Sequence, residues 1–143
     1  MTEIDTDYLD TIEYNDTIPF TFPIKYGKVI KVYDGDTITI AAKLPNTDGP
    51  VYRFSVRLDG IDTPEIKGKS VAERELAKQA RDALHELIYG KVVELRNVAN
   101  EKYGRILADV YIGDTNVNQW LVSENFAVLY DGGKKQRPAS WDW

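Results

Sequence analysis

An α+β fold, a five-stranded β-barrel carrying two or three helices, is predicted for this chain of 143 residues. Three features carry the prediction. Between residues 28 and 58 three extended runs are broken by Gly, Pro, Asn and Asp; a long stretch of helical period follows residue 70; and two more extended runs precede a short helical segment.

The first residues stand apart from this pattern. They show no sustained period, mix acids with Tyr and Ile, and end in Pro19 and Pro23, so residues 1–26 read as an arm and residues 27–143 as one domain. The first strand carries Val29, Ile30, Val32 and Tyr33 and turns at Asp34-Gly35; the second, residues 37–42, sets Ile38 and Ile40 on one face, making a hairpin. Pro45, Asn46, Asp48 and Gly49 break the chain before residues 51–58 extend again and close at Asp59-Gly60. Ser70 followed by Glu73 is a capping-box pattern, after which Leu76, Ala80, Ala83, Leu84, Leu87 and Ile88 recur at helical spacing until Gly90. Residues 91–98 form a fourth strand and residues 105–112 a fifth, with Ile106, Ala108, Val110 and Ile112 alternating inward. Gly113-Asp114 leads into a short helix near residues 115–124, then an apolar run, residues 126–130, and a polar tail. This order suggests a barrel of the OB kind, an architecture often used on nucleic acid, although fold alone does not assign activity.

Composition narrows the chemistry. The length suits one domain with its own core. Without cysteine there is no disulfide, thiolate metal site or cysteine nucleophile, and a metal must be held by oxygen or by the single imidazole, His85. That favours a hard cation. No stretch approaches the ~20 apolar residues of a membrane span, and no basic-then-apolar leader opens the sequence. A soluble monomer, cytoplasmic by default and without a membrane partner, is therefore the expectation. The net charge of −5 is unevenly spread: Glu3, Asp5, Asp7, Asp10, Glu13 and Asp16 fall in a stretch without Lys or Arg, and the rest carries 18 basic against 17 acidic side chains. Affinity for phosphates follows local clustering of Lys and Arg, so a modest basic groove is compatible with this balance.

Phosphodiester cleavage requires positive charge on the phosphate, a positioned water, and a group that orients or deprotonates that water. Candidates for each are present. Asp36 lies in Asp34-Gly35-Asp36-Thr37 at a tight turn, although that pattern taken alone is more often a plain hairpin turn. Residues 57–65 place Arg57 with Asp59, Asp62 and Glu65 around a strand end stiffened by Pro64. Neighbouring carboxylates repel unless a cation shares them, so this stretch is either a metal site or a solvated loop. Lys102-Tyr103-Gly104-Arg105 adds a second guanidinium, whose planar fork suits phosphate and stays charged at any working pH; the plainer reading is an exposed basic turn.

Together these stretches resemble the staphylococcal nuclease family. The resemblance rests on residues 29–37 (Val-Ile-Lys-Val-Tyr-Asp-Gly-Asp-Thr), 57–65 (Arg-Leu-Asp-Gly-Ile-Asp-Thr-Pro-Glu) and 102–105 (Lys-Tyr-Gly-Arg), in order around the helix, and runs from about Lys28 to Tyr130. It implies an OB-type barrel and a calcium-dependent nuclease acting on DNA or RNA, cutting the P–O5′ bond to leave 3′-phosphate ends. Asp36 and Asp62 match the calcium-binding carboxylates and the main-chain carbonyl of Thr63 a further ligand. Glu65 matches the residue acting on the attacking water, as base or orienting acceptor. Arg57 and Arg105 match the two arginines that grip the scissile phosphate, and Lys102 and Tyr103 would flank a neighbouring phosphate.

The chain also departs from the family's secreted form. The acidic arm is extra and is the expected place for a protein partner, or a cover for the phosphate site. Where that form offers a tyrosine-rich segment to a base, this chain reads Leu129-Tyr130-Asp131-Gly132-Gly133, leaving Tyr130 as the stacking candidate. Lys134, Lys135 and Arg137 read as a solvated tail, His85 as a surface residue, and Trp120 as core; Trp141 and Trp143 read as packing before stacking. The alternative to an enzyme is a catalytically silent barrel that binds nucleic acid or protein. All five matched ionic residues are present, which favours the enzyme.

Overall fold

The computed structural model describes residues 4–131 together with residues 138 and 141. Strands β1 (Tyr26–Asp34), β2 (Thr37–Ala42) and β3 (Tyr52–Leu58) form an antiparallel meander. A short β4 (Ile61–Asp62) leads to helix α1 (Val71–Ile88), followed by β5 (Val92–Asn100), β6 (Ile106–Ile112), β7 (Thr115–Asn116), helix α2 (Val117–Ser123) and β8 (Val128–Leu129). β1 pairs with β5, β5 with β6, and β6 closes the sheet against β3 by parallel pairing, giving a five-stranded mixed barrel. Closure removes the free sheet edge between β3 and β6.

The barrel interior follows from alternation. Val29, Ile38, Ile40, Val56, Leu58, Ile106, Ala108 and Val110 are inward and fully buried, met by Leu84 and Ile88 of α1 and by Val117 and Leu121 of α2. Ser70 caps α1, its Oγ accepting from Glu73 N at 3.0 Å and donating to the carbonyl of Trp141 at 2.6 Å. Buried Asn118 of α2 joins two barrel segments: its Oδ1 accepts from Val110 N (3.1 Å), and its Nδ2 donates to the carbonyls of Asp59 (2.8 Å) and Ala108 (3.2 Å).

The expected elements are present with three differences. The fifth strand starts at Ile106, so Arg105 stands just before it. Residues 115–116 pair with Tyr111 and Ile112 before the helix begins, because Asn116 caps it by accepting from Gln119 N at 3.1 Å. The apolar run after α2 is partly a strand, with Val128 paired to Asp62 and Leu129 to Ile61. Trp141 is buried, Trp120 is half-buried against Phe126, and His85 is exposed and stacked on Tyr89. Trp143, Lys134, Lys135 and Arg137 lie outside the described residues. Among the described residues no helix is long and apolar enough to cross a membrane.

The arm forms two 3-10 turns, Asp7–Thr11 and Tyr14–Asp16, neither with a buried residue. Tyr8, Leu9, Ile12 and Tyr14 are exposed instead of docked on the barrel. Attachment begins at Phe20, whose carbonyl accepts from Asn100 Nδ2, and at Phe22, which meets Phe54 edge-on.

Gly35 shows how packing sets the first turn. Its φ is not in the left-handed region, so turn geometry does not demand glycine here. Space does: a Cβ would stand 2.9 Å from Cβ of Ala80 and 3.0 Å from Cγ2 of Thr63. The turn is pressed onto α1 and the β4 loop. Gly35→Ala is expected to cost about 1–3 kcal/mol through overpacking, read as a lower midpoint in thermal or urea unfolding; an unshifted transition would show that the turn yields freely.

Candidate functional site

The hairpin turn between β1 and β2, the end of β3, the loop after β4 and the start of β6 meet at one mouth of the barrel. A concavity of about 500 Å³ opens there, lined among others by Asp34, Asp36, Arg57, Asp62, Thr63, Glu65 and Arg105. Three stretches far apart in the chain thus converge on one space. Of the three acids in residues 57–65, Asp62 and Glu65 line it, whereas Asp59 lines the neighbouring hollows. Asp34, which the sequence marked only as a turn residue, takes a place in the acid cluster.

Arg57 is held in position by its own strand end. Its two terminal nitrogens donate to the carbonyls of Leu58 and Ile61, each at 2.7 Å, and Nη1 lies 3.4 Å from the Asp36 carboxylate. Arg105 is fixed by a charged hydrogen bond from Nε to Glu101 at 2.8 Å and a longer contact of 3.4 Å from Nη1 to Thr37 Oγ1. The Glu101 pairing raises the pKa of Arg105 and holds the Glu101 carboxyl below its ordinary range. Thr37 also donates to Asp36 Oδ1 at 3.1 Å, so one hydroxyl connects the acid cluster to the second guanidinium.

The acids are crowded in a partly dry space. Asp36 and Asp62 are buried, and Asp34 Oδ1 accepts from Asp36 N at 3.1 Å. Burial first, then a hydrogen bond and repulsion from Asp36, push the Asp34 carboxyl from 3.8 up to about 7, with Asp36 N and Arg57 opposing. Between these values the folded chain keeps a proton that the unfolded chain has released, so stability falls as pH rises through that window. Below about pH 4 the effect is absent, and above about 7 it is complete. In chelator, Asp34→Asn is therefore expected to be more stable than the parent at pH 8 and to match it near pH 4; equal unfolding midpoints at both would remove Asp34 as the source.

Glu65 sits at the exposed edge of the concavity, and its main chain is anchored from below. Its N–H donates to Glu73 Oε2 at 3.0 Å, and Glu73 is buried in the first turn of α1. The capping pattern marked Glu73 for the helix alone; its second task, holding the Glu65 loop, has no local sequence signal. Gly68 makes room for it, since a Cβ there would come within 2.4 Å of the Glu73 carboxyl carbon.

On the far side of Arg57 and Arg105 lies a second concavity of about 700 Å³, which they also line. Lys102, Tyr103 and Tyr130 contribute to its wall, with Lys102 Nζ 5.3 Å from the Tyr103 ring centroid. Tyr130 is tied in by its N–H to the Gly60 carbonyl at 2.8 Å. All nine site residues expected from the sequence thus fall in two hollows that share the two guanidinium groups. No described residue of the arm lines either hollow.

The groups around Asp36 and Asp62 that could ligate an ion are all oxygen. Thr63 Oγ1 is buried there without a hydrogen-bond partner. Among the described residues no three His, Asp or Glu side chains gather into a ready ion cage. Two carboxylates and main-chain oxygen suit an ion that completes its shell with water, as Ca²⁺ does.

A family model described as "Staphylococcal nuclease homologue" matches residues 55–140. Asp36 lies ahead of that stretch, so its place rests on the turn motif and the shared concavity. An "Uncharacterized endonuclease" of Escherichia coli is 32% identical over 117 residues, which is 78% of this chain and 68% of the relative. The thermonuclease of Staphylococcus hyicus is 34% identical over 102 residues, covering 70% of this chain and 56% of its own. The "Staphylococcal-like nuclease CAN1" of Arabidopsis thaliana is 30% identical over 93 residues, covering 63% and 26%.

Proposed function

Because this chain belongs to the staphylococcal nuclease homologue family, we propose that it is a calcium-dependent nuclease hydrolysing phosphodiester bonds of DNA or RNA. The observation that carries the reading is the convergence of Arg57, Arg105, Asp36, Asp62 and Glu65 on one concavity. Two fixed guanidinium groups beside an acid cluster suit one phosphodiester: the forks donate to its non-bridging oxygens, and the acids repel it unless a cation intervenes. Asp36, Asp62 and the Thr63 carbonyl would hold Ca²⁺, which when bound supplies positive charge to the phosphate.

The remaining chemistry belongs to side chains. Glu65 accepts a hydrogen bond from water on the face of phosphorus opposite the 5′ oxygen and takes its proton as the new P–O bond forms. The P–O5′ bond then breaks, the 5′ oxygen is protonated from solvent, and the other fragment keeps a 3′-phosphate. Arg57 and Arg105 bear the charge that builds on the five-coordinate phosphorus. Their own bonds to carbonyls and to Glu101 keep them aligned before substrate arrives, so little reorganisation is needed in the transition state.

The direct test is digestion of single-stranded DNA and RNA by the purified chain in Ca²⁺, repeated in excess chelator, with the ends analysed. Cleavage leaving 3′-phosphate that stops on chelation and returns with Ca²⁺ is expected. Binding without cleavage under every divalent ion would instead identify a silent nucleic-acid-binding barrel.

A further inference from the structure

We infer that the outer face of β1–β2–β3 is a second substrate subsite, on which Tyr33 stacks a base and Lys31 and Lys67 hold a phosphate next to the scissile one. The inference deepens the nuclease reading and rests on it.

Its origin is a bulge. Along β1, Gly27 and Val29 point inward, but pairing shifts between Val29 and Lys31, and beyond that point Val32 is the inward residue. The extra residue at Ile30 reverses the phase of the strand, as bulges do. Lys31 is thereby turned out, and Tyr33, the unpaired residue of a second shift between Val32 and Asp34, is turned out beside it, with the Lys31 ammonium 6.0 Å from the Tyr33 ring centroid. Without the shift, strict alternation would send both into the core.

They emerge beside small hydroxyl side chains. Lys31 is opposite Thr39, and Thr39 is opposite Ser55, so the three make one row across the sheet. The next row pairs Thr37 with Arg57, one of the two phosphate-facing arginines. Alternate residues of a strand are about 6.8 Å apart, a step comparable with the distance between successive phosphates of a stretched single strand. Lys31, Tyr33, Thr39, Ser55 and Lys67 all line the concavity that holds Arg57 and Arg105, so the surface is continuous with it.

Charge and shape point to one occupant. Neither Lys31 nor Lys67 has a carboxylate within ion-pair distance among the described residues, whereas Arg57 and Arg105 do. Thr39 and Ser55 leave the floor low and offer hydroxyls. Tyr33 is 46% exposed, a large aromatic residue reachable from solvent at the edge of the concavity. A cation beside an exposed ring above a polar floor is how single strands are gripped without regard to sequence. A small-molecule phosphate would use the cations but not the ring.

The experiment compares a dinucleotide, with one phosphodiester, and a single-stranded decanucleotide as substrates for the full chain in Ca²⁺, alongside anisotropy of a labelled decanucleotide. The parent is expected to show a higher kcat/KM on the decanucleotide. Lys31→Ala and Tyr33→Ala are each expected to lower the ratio of long to short kcat/KM by about tenfold. Tyr33→Phe should keep it, since the ring and not its hydroxyl is used. Lys31→Ala should also make the salt dependence of decanucleotide binding shallower by about one counterion. Unchanged ratios and unchanged binding in both alanine variants would overturn the subsite while leaving the nuclease reading intact. If the parent cleaves neither substrate, the nuclease reading falls, and the anisotropy of the same variants still decides whether the face binds a strand.

Discussion

Arg105→Ala is expected to lower kcat by roughly 10²–10³-fold with a small change in unfolding midpoint, whereas Arg57→Ala should lose at least as much activity and also destabilise the fold. The asymmetry follows from what each guanidinium already does. Arg105 is a third exposed, and its Nε partner is the Glu101 carboxylate. Removing it opens to water the Glu101 carboxylate, 12% exposed in the pair, and leaves no main-chain carbonyl stranded, so the stability change should be smaller than at Arg57. Arg57 closes the β3–β4 corner by donating to the carbonyls of Leu58 and Ile61, and its side chain is only 13% exposed. Its removal strands two half-buried acceptors and leaves the Asp36 carboxylate without its ion-pair partner.

Lysine separates geometry from charge. Lys at 105 keeps the charge but loses the fork, so part of the activity should return, while Lys at 57 cannot span two carbonyls and one carboxylate and should recover neither activity nor stability. Steady-state kinetics with urea unfolding of the four variants reads both quantities. If Arg57→Ala and Arg105→Ala keep the parental kcat, the guanidinium groups do not act on the phosphorus, and the shared concavity has another purpose.

The strands that form the barrel were legible because their signal is local. Ile38 and Ile40 alternate, Ser70 and Glu73 cap, and Ile106, Ala108 and Val110 repeat at period two; each places itself without help from distant sequence. Barrel closure through parallel pairing of Val56 with Ile106 carries no such mark, since register between remote strands is decided by packing. The site divides the same way. Arg57, Asp62 and Glu65 could be read from one short stretch, but nothing in that stretch marks Asp59, which lines the two neighbouring hollows and not the acid cluster. Asp34 and Glu73 carry local signals only for a turn and a cap, because their work at the site is tertiary: one is pressed against Asp36 by burial, and the other reaches eight residues back to hold Glu65. The outward turn of Lys31 and Tyr33 was likewise hidden, because a bulge has no fixed sequence signature and period-two reading passes straight through it.

Glu65→Gln discriminates between the two roles open to that residue, and the expected result is a fall in kcat of about 10²–10⁴-fold, the range for loss of a general base. The amide has nearly the shape of the carboxylate and keeps an acceptor oxygen, so a Glu65 that merely orients water would lose far less. The substitution leaves the main-chain anchor of this loop in place, since the Glu65 N–H still donates to Glu73. That anchor supplies the control. Glu73→Gln leaves the Glu65 carboxylate in the chain but weakens a charged hydrogen bond beneath it, so it should lower kcat by a smaller factor without removing the requirement for Glu65. In the double variant the Glu73 change should then have little further effect, since it acts only by placing a group that is already gone. Full additivity would mean that Glu73 serves the site by another route, and a parental rate in Glu65→Gln would remove Glu65 from the chemistry.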